Sequence, residues 1–264
     1  MALAVTIGSL LLVALAELFR ARRRSRFPAF RRRLGNLGIW LFNVVLAGIF
    51  FAEPATFRPQ IEAAFHVSLP AWPIGDAGVG FVLGFLLLDL LQYAMHRCQH
   101  AIPFLWRLHA LHHSDPDVDV TTAVRHHPIE YLIASAIYWL VVLVLDIPVI
   151  IVLSHGLTVF AAAAVTHGNI RPPGWLERSL QPVVITLDLH LIHHSIVYQE
   201  ANSNFGAVLS IWDRIFGTLA PPSRTRQDTL TFGVRELSQR DCLKLSAMFL
   251  TPWRLGRAPT GRAG

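Results

Sequence analysis

Of the thirteen histidines in this 264-residue chain, eight fall in three tight clusters. The first is His96 and His100, the second His109, His112 and His113, and the third His190, His193 and His194. The second and third share the spacing H-x-x-H-H. Adjacent imidazoles are costly to bury unpaired near an apolar boundary. Coordination satisfies them, because the neutral ring is a good ligand for iron and zinc. Eight rings exceed the capacity of one ion, so the pattern implies a dinuclear site with four or five nitrogens per metal. His167, in "VTHGNI", closes an apolar stretch and is a ninth candidate. His127, in "RHHPIE", is a weaker tenth beside His126. His66 and His155 are set aside, the first in a connecting segment and the second as structural.

Two carboxylates stand close enough in sequence to support such ligands. Asp89, Tyr93, His96 and His100 are spaced by 4, 7 and 11 residues, which returns to one face of an α-helix. Asp89 is therefore expected to accept a ligand N–H; a carboxylate in an apolar helix is expensive unless paired or functional. Asp188 precedes the third cluster by two residues and is a second such acceptor. Cys98 points away from this stripe. Trp212 and Asp213 are read as packing and capping residues.

The elements that must position these side chains are apolar. The chain is 53% hydrophobic and 15% charged, where a soluble domain carries about a quarter charged residues. An all-α integral membrane protein follows, with about four spanning helices plus a re-entrant arm and a cytoplasmic histidine-rich helical cap. The apolar stretches cover roughly residues 2–19, 34–52, 74–95, 129–151 and a shorter 153–165, which is the arm. The first three and the fourth approach the roughly 20 residues a spanning helix needs. Residues 53–73, with four prolines, read as an outer loop. The first stretch lacks a basic segment before it, so it reads as a spanning helix and not as a signal peptide.

The net charge is +6, and eight arginines lie between Arg20 and Arg33. Between two apolar segments this run marks the cytoplasmic side and not a nucleic-acid surface. Counting crossings from it puts all three clusters on that same side, as a shared metal site requires. Two cysteines, Cys98 and Cys242, imply no disulfide framework. The chain divides into an N-terminal helical part (1–73), a catalytic part (74–220) and a cytoplasmic tail (221–264) that frays after residue 250. Its alanine- and arginine-rich composition suggests a bacterial inner membrane.

"DLLQYAMHRCQH", "LWRLHALHHS", "RHHPIE" and "HLIHHS…NFGAVLSIWDRIFGT" resemble the fatty acid hydroxylase / sterol desaturase superfamily of membrane di-iron oxygenases. The resemblance runs from about residue 79 to 219, with Phe205 where relatives often carry tyrosine. It implies two iron ions held by His96, His100, His109, His112, His113, His190, His193 and His194, with His167 as the further histidine. It also implies O2 as co-substrate, hydroxylation or desaturation of a lipid, and electrons from a cytochrome b5-, ferredoxin- or reductase-type protein. No haem, flavin or nucleotide motif is visible, so that donor is a separate partner. Carotenoid or isoprenoid hydroxylation and ether-lipid oxidation are alternatives within the resemblance. A histidine-lined metal transporter is the alternative outside it, and it requires ligands near mid-membrane.

Overall fold

The computed structural model describes residues 2–51, 54–220, 229–237 and 243–255. Cys242 and residues 256–264 lie outside them. The described residues are helical, with two isolated bridges (Val184 with Leu209, Ser195 with Phe232) and no extended strand.

Four helices are long and apolar enough to cross a membrane: α2 (Ala29–Phe50), α4 (Ala77–Ala101), α6 (Pro128–Leu145) and α7 (Val149–His167). Helix α1 (Ala2–Arg20) is as long as α7 and lies along it. Leu11, Leu12, Leu18 and Phe19 of α1 and Leu41 and Ile49 of α2 face outward, the surface a bilayer would cover.

Local chemistry sets the helix ends. The Asp76 carboxylate accepts the N–H of Val79 at 2.8 Å and caps α4. Ile102 breaks the helix before Pro103, which occupies the first position of α5 (Pro103–His113). This bend lets α5 fold back against α4. Between α6 and α7, Asp146 takes a left-handed conformation (φ 51°) and Pro148 prevents continuation. The break between the fourth and fifth apolar stretches therefore falls earlier than the sequence suggests. The expected short arm becomes a 19-residue helix. The expected outer loop is also partly helical, as α3 (Pro54–Phe65) with Pro59 inside it.

The arginine run does more than mark a side. Arg22 pairs with Asp188 at 2.6 Å. Arg32 is buried between Asp115 and Asp119, and Arg33 joins Asp119 (2.8 Å) to Glu17 (2.9 Å). Asp117 accepts the backbone N–H groups of Arg26 and Phe27. These pairs clamp the α1–α2 connection to the segment after α5, so the arginines and the histidine clusters share one end of the bundle.

Part of the tail is ordered there too. The helices Leu245–Phe249 and Thr251–Arg254 lie against α2 and α5. Met248 is wholly buried with Ile39 and Leu111. The expected fraying after residue 250 thus does not begin before Leu255, whose carbonyl accepts an N–H of Arg107.

Candidate metal centre

The nine histidines sort into two groups. In one, His96, His100, His109, His113 and His193 offer nitrogens all within 4.8 Å of one another. In the other, His112, His167, His190 and His194 meet the same limit. His113 and His194 bring the groups together, with ring centroids 4.6 Å apart.

Helix geometry explains the repeated spacing. Neighbouring residues on a helix diverge by about 100°, whereas residues i and i+4 nearly align. On α5, His109 and His113 turn to the five-ring group and His112 to the four-ring group. On α9 (Leu187–His193) and its cap the arrangement is reversed. His190 and His194 join the four-ring group and His193 the other. Each H-x-x-H-H box therefore feeds both groups.

Hydrogen bonds fix ring orientation. Nδ1 of His96 donates to the Phe205 carbonyl, Nδ1 of His193 to that of Ser203, and Nδ1 of His167 to that of Ala163, each at 2.8 Å. Nδ1 of His109 donates to Glu130 at 2.7 Å. Each such bond places the proton on Nδ1 and leaves the Nε2 lone pair for another partner. In the five-ring group that partner is missing: all five Nε2 atoms are buried without a hydrogen bond.

The four-ring group shows the same mismatch of donors and acceptors in another form. Nε2 of His167 lies 3.2 Å from Nε2 of His112, 3.0 Å from that of His190 and 3.1 Å from that of His194. His167 already donates through Nδ1, so a single lone pair would have to accept three N–H groups. Two ligands at right angles about a metal, each about 2.1 Å away, stand about 3.0 Å apart. The donor set thus fits metal ions and does not fit a closed hydrogen-bond network. Burial, reinforced by neighbouring rings, pushes His112, His113, His190, His193 and His194 well below the usual imidazole pKa. These rings are neutral at neutral pH, the form that coordinates.

Sequence reasoning placed three residues differently. His127 is in neither group: its Nδ1 accepts the N–H of Ile129 and its Nε2 donates to the Phe249 carbonyl. It caps α6 and uses both nitrogens to do so. Asp89 does not touch a ligand ring. It accepts the N–H groups of Val208, Leu209 and Trp212 Nε1 (3.2, 3.2 and 2.8 Å), anchoring the segment after the third box. It lies two helical turns from His96, too far to orient that ring. Asp188 pairs with Arg22. Asp213 behaves as read: it accepts the N–H groups of Phe205 and Gly206 and the Thr218 hydroxyl. It thereby holds the loop whose carbonyls orient His96 and His193. A Cβ at Gly206 would clash with the Leu209 carbonyl, so only glycine fits that turn.

Sequence reasoning missed Glu130 and chose His127 over its neighbour His126. Glu130, buried on α6, accepts from His109 and Gln99 and lies 3.3 Å from Nδ1 of His126. His126 stacks on His112 with centroids 4.7 Å apart and 9° between the rings. The signal was the capping-box spacing of "HPIE", with glutamate at the third helical position.

A cavity of about 510 Å3 opens from both groups and runs between α4, α6 and α7. Its walls away from the histidines include Trp139, Val152, Val159 and Phe160.

The profile of the fatty acid hydroxylase family matches residues 81–218. The chain is 32% identical over 167 residues to ornithine lipid hydroxylase OlsE of Rhizobium tropici, covering 63% of this chain and 49% of that protein. It is 30% identical over 186 residues to alkylglycerol monooxygenase of Xenopus tropicalis, covering 66% and 39%. The human alkylglycerol monooxygenase is 27% identical over 190 residues, with 66% and 39% covered. The matched region thus spans less than half the length of each of these relatives. No solved structure matches the chain.

Proposed function

The chain belongs to the fatty acid hydroxylase family, and from that premise we propose that it is a membrane-bound oxygenase that hydroxylates or desaturates a lipid at a histidine-held di-iron centre. One observation carries the reading: nine imidazoles, seven of them buried and two half-buried, form two coordination-ready sets beside an apolar-walled cavity. His96, His100, His109, His113 and His193 would hold one ion and His112, His167, His190 and His194 the other. When bound, a pair of irons supplies the redox chemistry that uses O2 and external electrons to attack an unactivated C–H bond. Hydroxylation then places one oxygen atom in the product and reduces the other to water, taking two electrons from the donor and two protons from the aqueous side.

The protein's own part is orientation and dryness. Carbonyls and Glu130 hold the rings. Apolar residues of α6 and α7 exclude water from the chain being oxidised. A lipid tail reaches the cavity from the bilayer, and an electron-transfer protein of the cytochrome b5, ferredoxin or reductase type reaches the histidine end from the aqueous side. The clustered arginines at that end make it the cytoplasmic face by the positive-inside rule, in a bacterial inner membrane. Residues 74–220 form the catalytic part, 1–73 an N-terminal helical part and 221–264 a C-terminal tail. Similarity to alkylglycerol monooxygenases supports an ether lipid as a second substrate class. A transport role is disfavoured, because both histidine groups sit at one end of the bundle.

The test is metal analysis of the detergent-purified protein, followed by lipid analysis of expressing cells with and without O2. About two irons per chain and an O2-dependent oxidised lipid are expected. A metal-free protein or an unchanged lipid profile overturns the reading.

A further inference from the structure

The end of the cavity away from the two histidine groups is not purely apolar. His155, on α7, is wholly buried and lines it, as does Tyr138 on α6. The two rings stack with centroids 6.0 Å apart, and the Tyr138 hydroxyl lies 3.2 Å from Nδ1 of His155. Phe85 meets the imidazole edge-on at 5.1 Å. Nε2 of His155 has no hydrogen-bond partner. The nearest carboxylate oxygen, Oδ1 of Asp89, is 3.8 Å away, beyond hydrogen-bond reach. Asp89 is already engaged by three N–H donors. An ionisable ring inside a membrane-length helix with an unmatched nitrogen marks a functional site.

The tautomer follows from the surroundings. Were Nδ1 to carry the proton, the Nε2 lone pair would face the Asp89 carboxylate. The favourable arrangement has Tyr138 donating to Nδ1 and Nε2 carrying N–H. Nε2–H then faces Asp89, and the phenol oxygen, donating to Nδ1, offers its own lone pair to the cavity. A hydroxyl can donate to it, with His155 holding the phenol in place. A free carboxylate cannot, because it has no proton to donate.

We propose that Tyr138 and His155 form a subsite for a neutral hydroxyl of the lipid substrate, distant from the carbon that is oxidised. The helices set the distance. His155 precedes His167 by twelve residues and Tyr138 follows Glu130 by eight, roughly 18 and 12 Å at 1.5 Å per residue. That span corresponds to roughly a dozen bonds of extended chain, since three backbone bonds advance about 3.5 Å. The substrate is therefore an alcohol-bearing lipid held at its far end, and the subsite acts as a ruler that selects the oxidised position. This rests on the oxygenase reading for its reaction but not for its binding.

Binding of tritiated 1-hexadecanol, hexadecane and palmitate to the full-length chain in detergent tests it, with and without iron. The wild-type protein should bind the alcohol at least about tenfold more tightly than either comparator, the worth of one buried hydrogen bond. Tyr138→Phe, which removes only an oxygen, and His155→Leu should each reduce the preference over hexadecane to about threefold or less. His155→Gln, which retains an acceptor for the Tyr138 hydroxyl, should keep part of it. Equal binding of the three probes by the wild type, or an undiminished preference in Tyr138→Phe, overturns the subsite. Iron content read on the same samples separates the two ideas. Two irons with no alcohol preference defeats the subsite alone, and a preserved preference in a protein that never takes up iron defeats the oxygenase reading alone.

Discussion

The Glu130 carboxylate accepts the Nδ1–H of His109 at 2.7 Å, and Glu130 stands on a different helix from that ring. It ties the start of α6 to the second histidine box, and its other oxygen lies 3.3 Å from the His127 backbone N–H. A carboxylate behind a ligating imidazole fixes the tautomer and raises the basicity of the far nitrogen. Glu130→Gln keeps the size but loses the charge, and Glu130→Ala loses both. Metal affinity or activity should fall about 10–100-fold in the first and further in the second. Equilibrium dialysis against a competing chelator measures this; unchanged affinity in Glu130→Ala would show that the contact does not orient His109.

His112 and His113 are sequence neighbours assigned to different groups. His113→Ala should empty the five-ring set and spare the four-ring set, and His112→Ala the reverse. Each variant should hold about one metal per chain, still insert into the membrane and lose oxygenase activity. Identical, complete metal loss in both would show that the two sets do not fill independently.

Arg32 is buried between Asp115 and Asp119, whereas Arg24 and Arg31 are exposed. Removing one partner of a buried ion pair costs about 3–5 kcal/mol, and exposed substitutions usually stay within about 0.5 kcal/mol. Arg32→Ala should therefore lower the thermal midpoint well beyond Arg24→Ala or Arg31→Ala. Equal effects would mean that the run serves only as a topological signal.

Much of the centre was legible because its spacing is local. Two residues at i and i+4 declare a helix face, and H-x-x-H-H declares two faces at once. What stayed hidden was long-range pairing. Asp89 and His96 share a stripe, but the stripe cannot tell that Val208, Leu209 and Trp212 claim the carboxylate first. His126 and His127 are indistinguishable in sequence. Only the α6 cap decides that His127 turns to backbone and His126 to the site. The fourth and fifth apolar stretches are continuous in hydropathy, so the break at Asp146 is visible only through its left-handed backbone and Pro148. The arginine run read only as a marker of one side because most of its partners lie far along the chain, as with Arg32 to Asp115 and Asp119, 83 and 87 residues away.

Acid should unfold the metal-free protein unusually early. Burial, then neighbouring imidazoles, hold His112, His113, His190, His193 and His194 well below their ordinary pKa. In the unfolded chain the same rings titrate near about 6.5. Below that value the unfolded state binds protons that the folded state refuses, so stability is full above it and declines as pH falls. Each such ring contributes a slope of about 1.4 kcal/mol per pH unit, and several act together. Bound metal opposes the decline, because it occupies the nitrogens that protons would otherwise take, until acid displaces it. Thermal melts of the metal-free protein between pH 7.5 and 5.5 should show a steep fall. A His190→Asn/His194→Asn variant, with two such rings fewer, should show a shallower one. A midpoint independent of pH over that window would mean that the imidazoles are not held neutral and buried, and the coordination-ready centre would go with them.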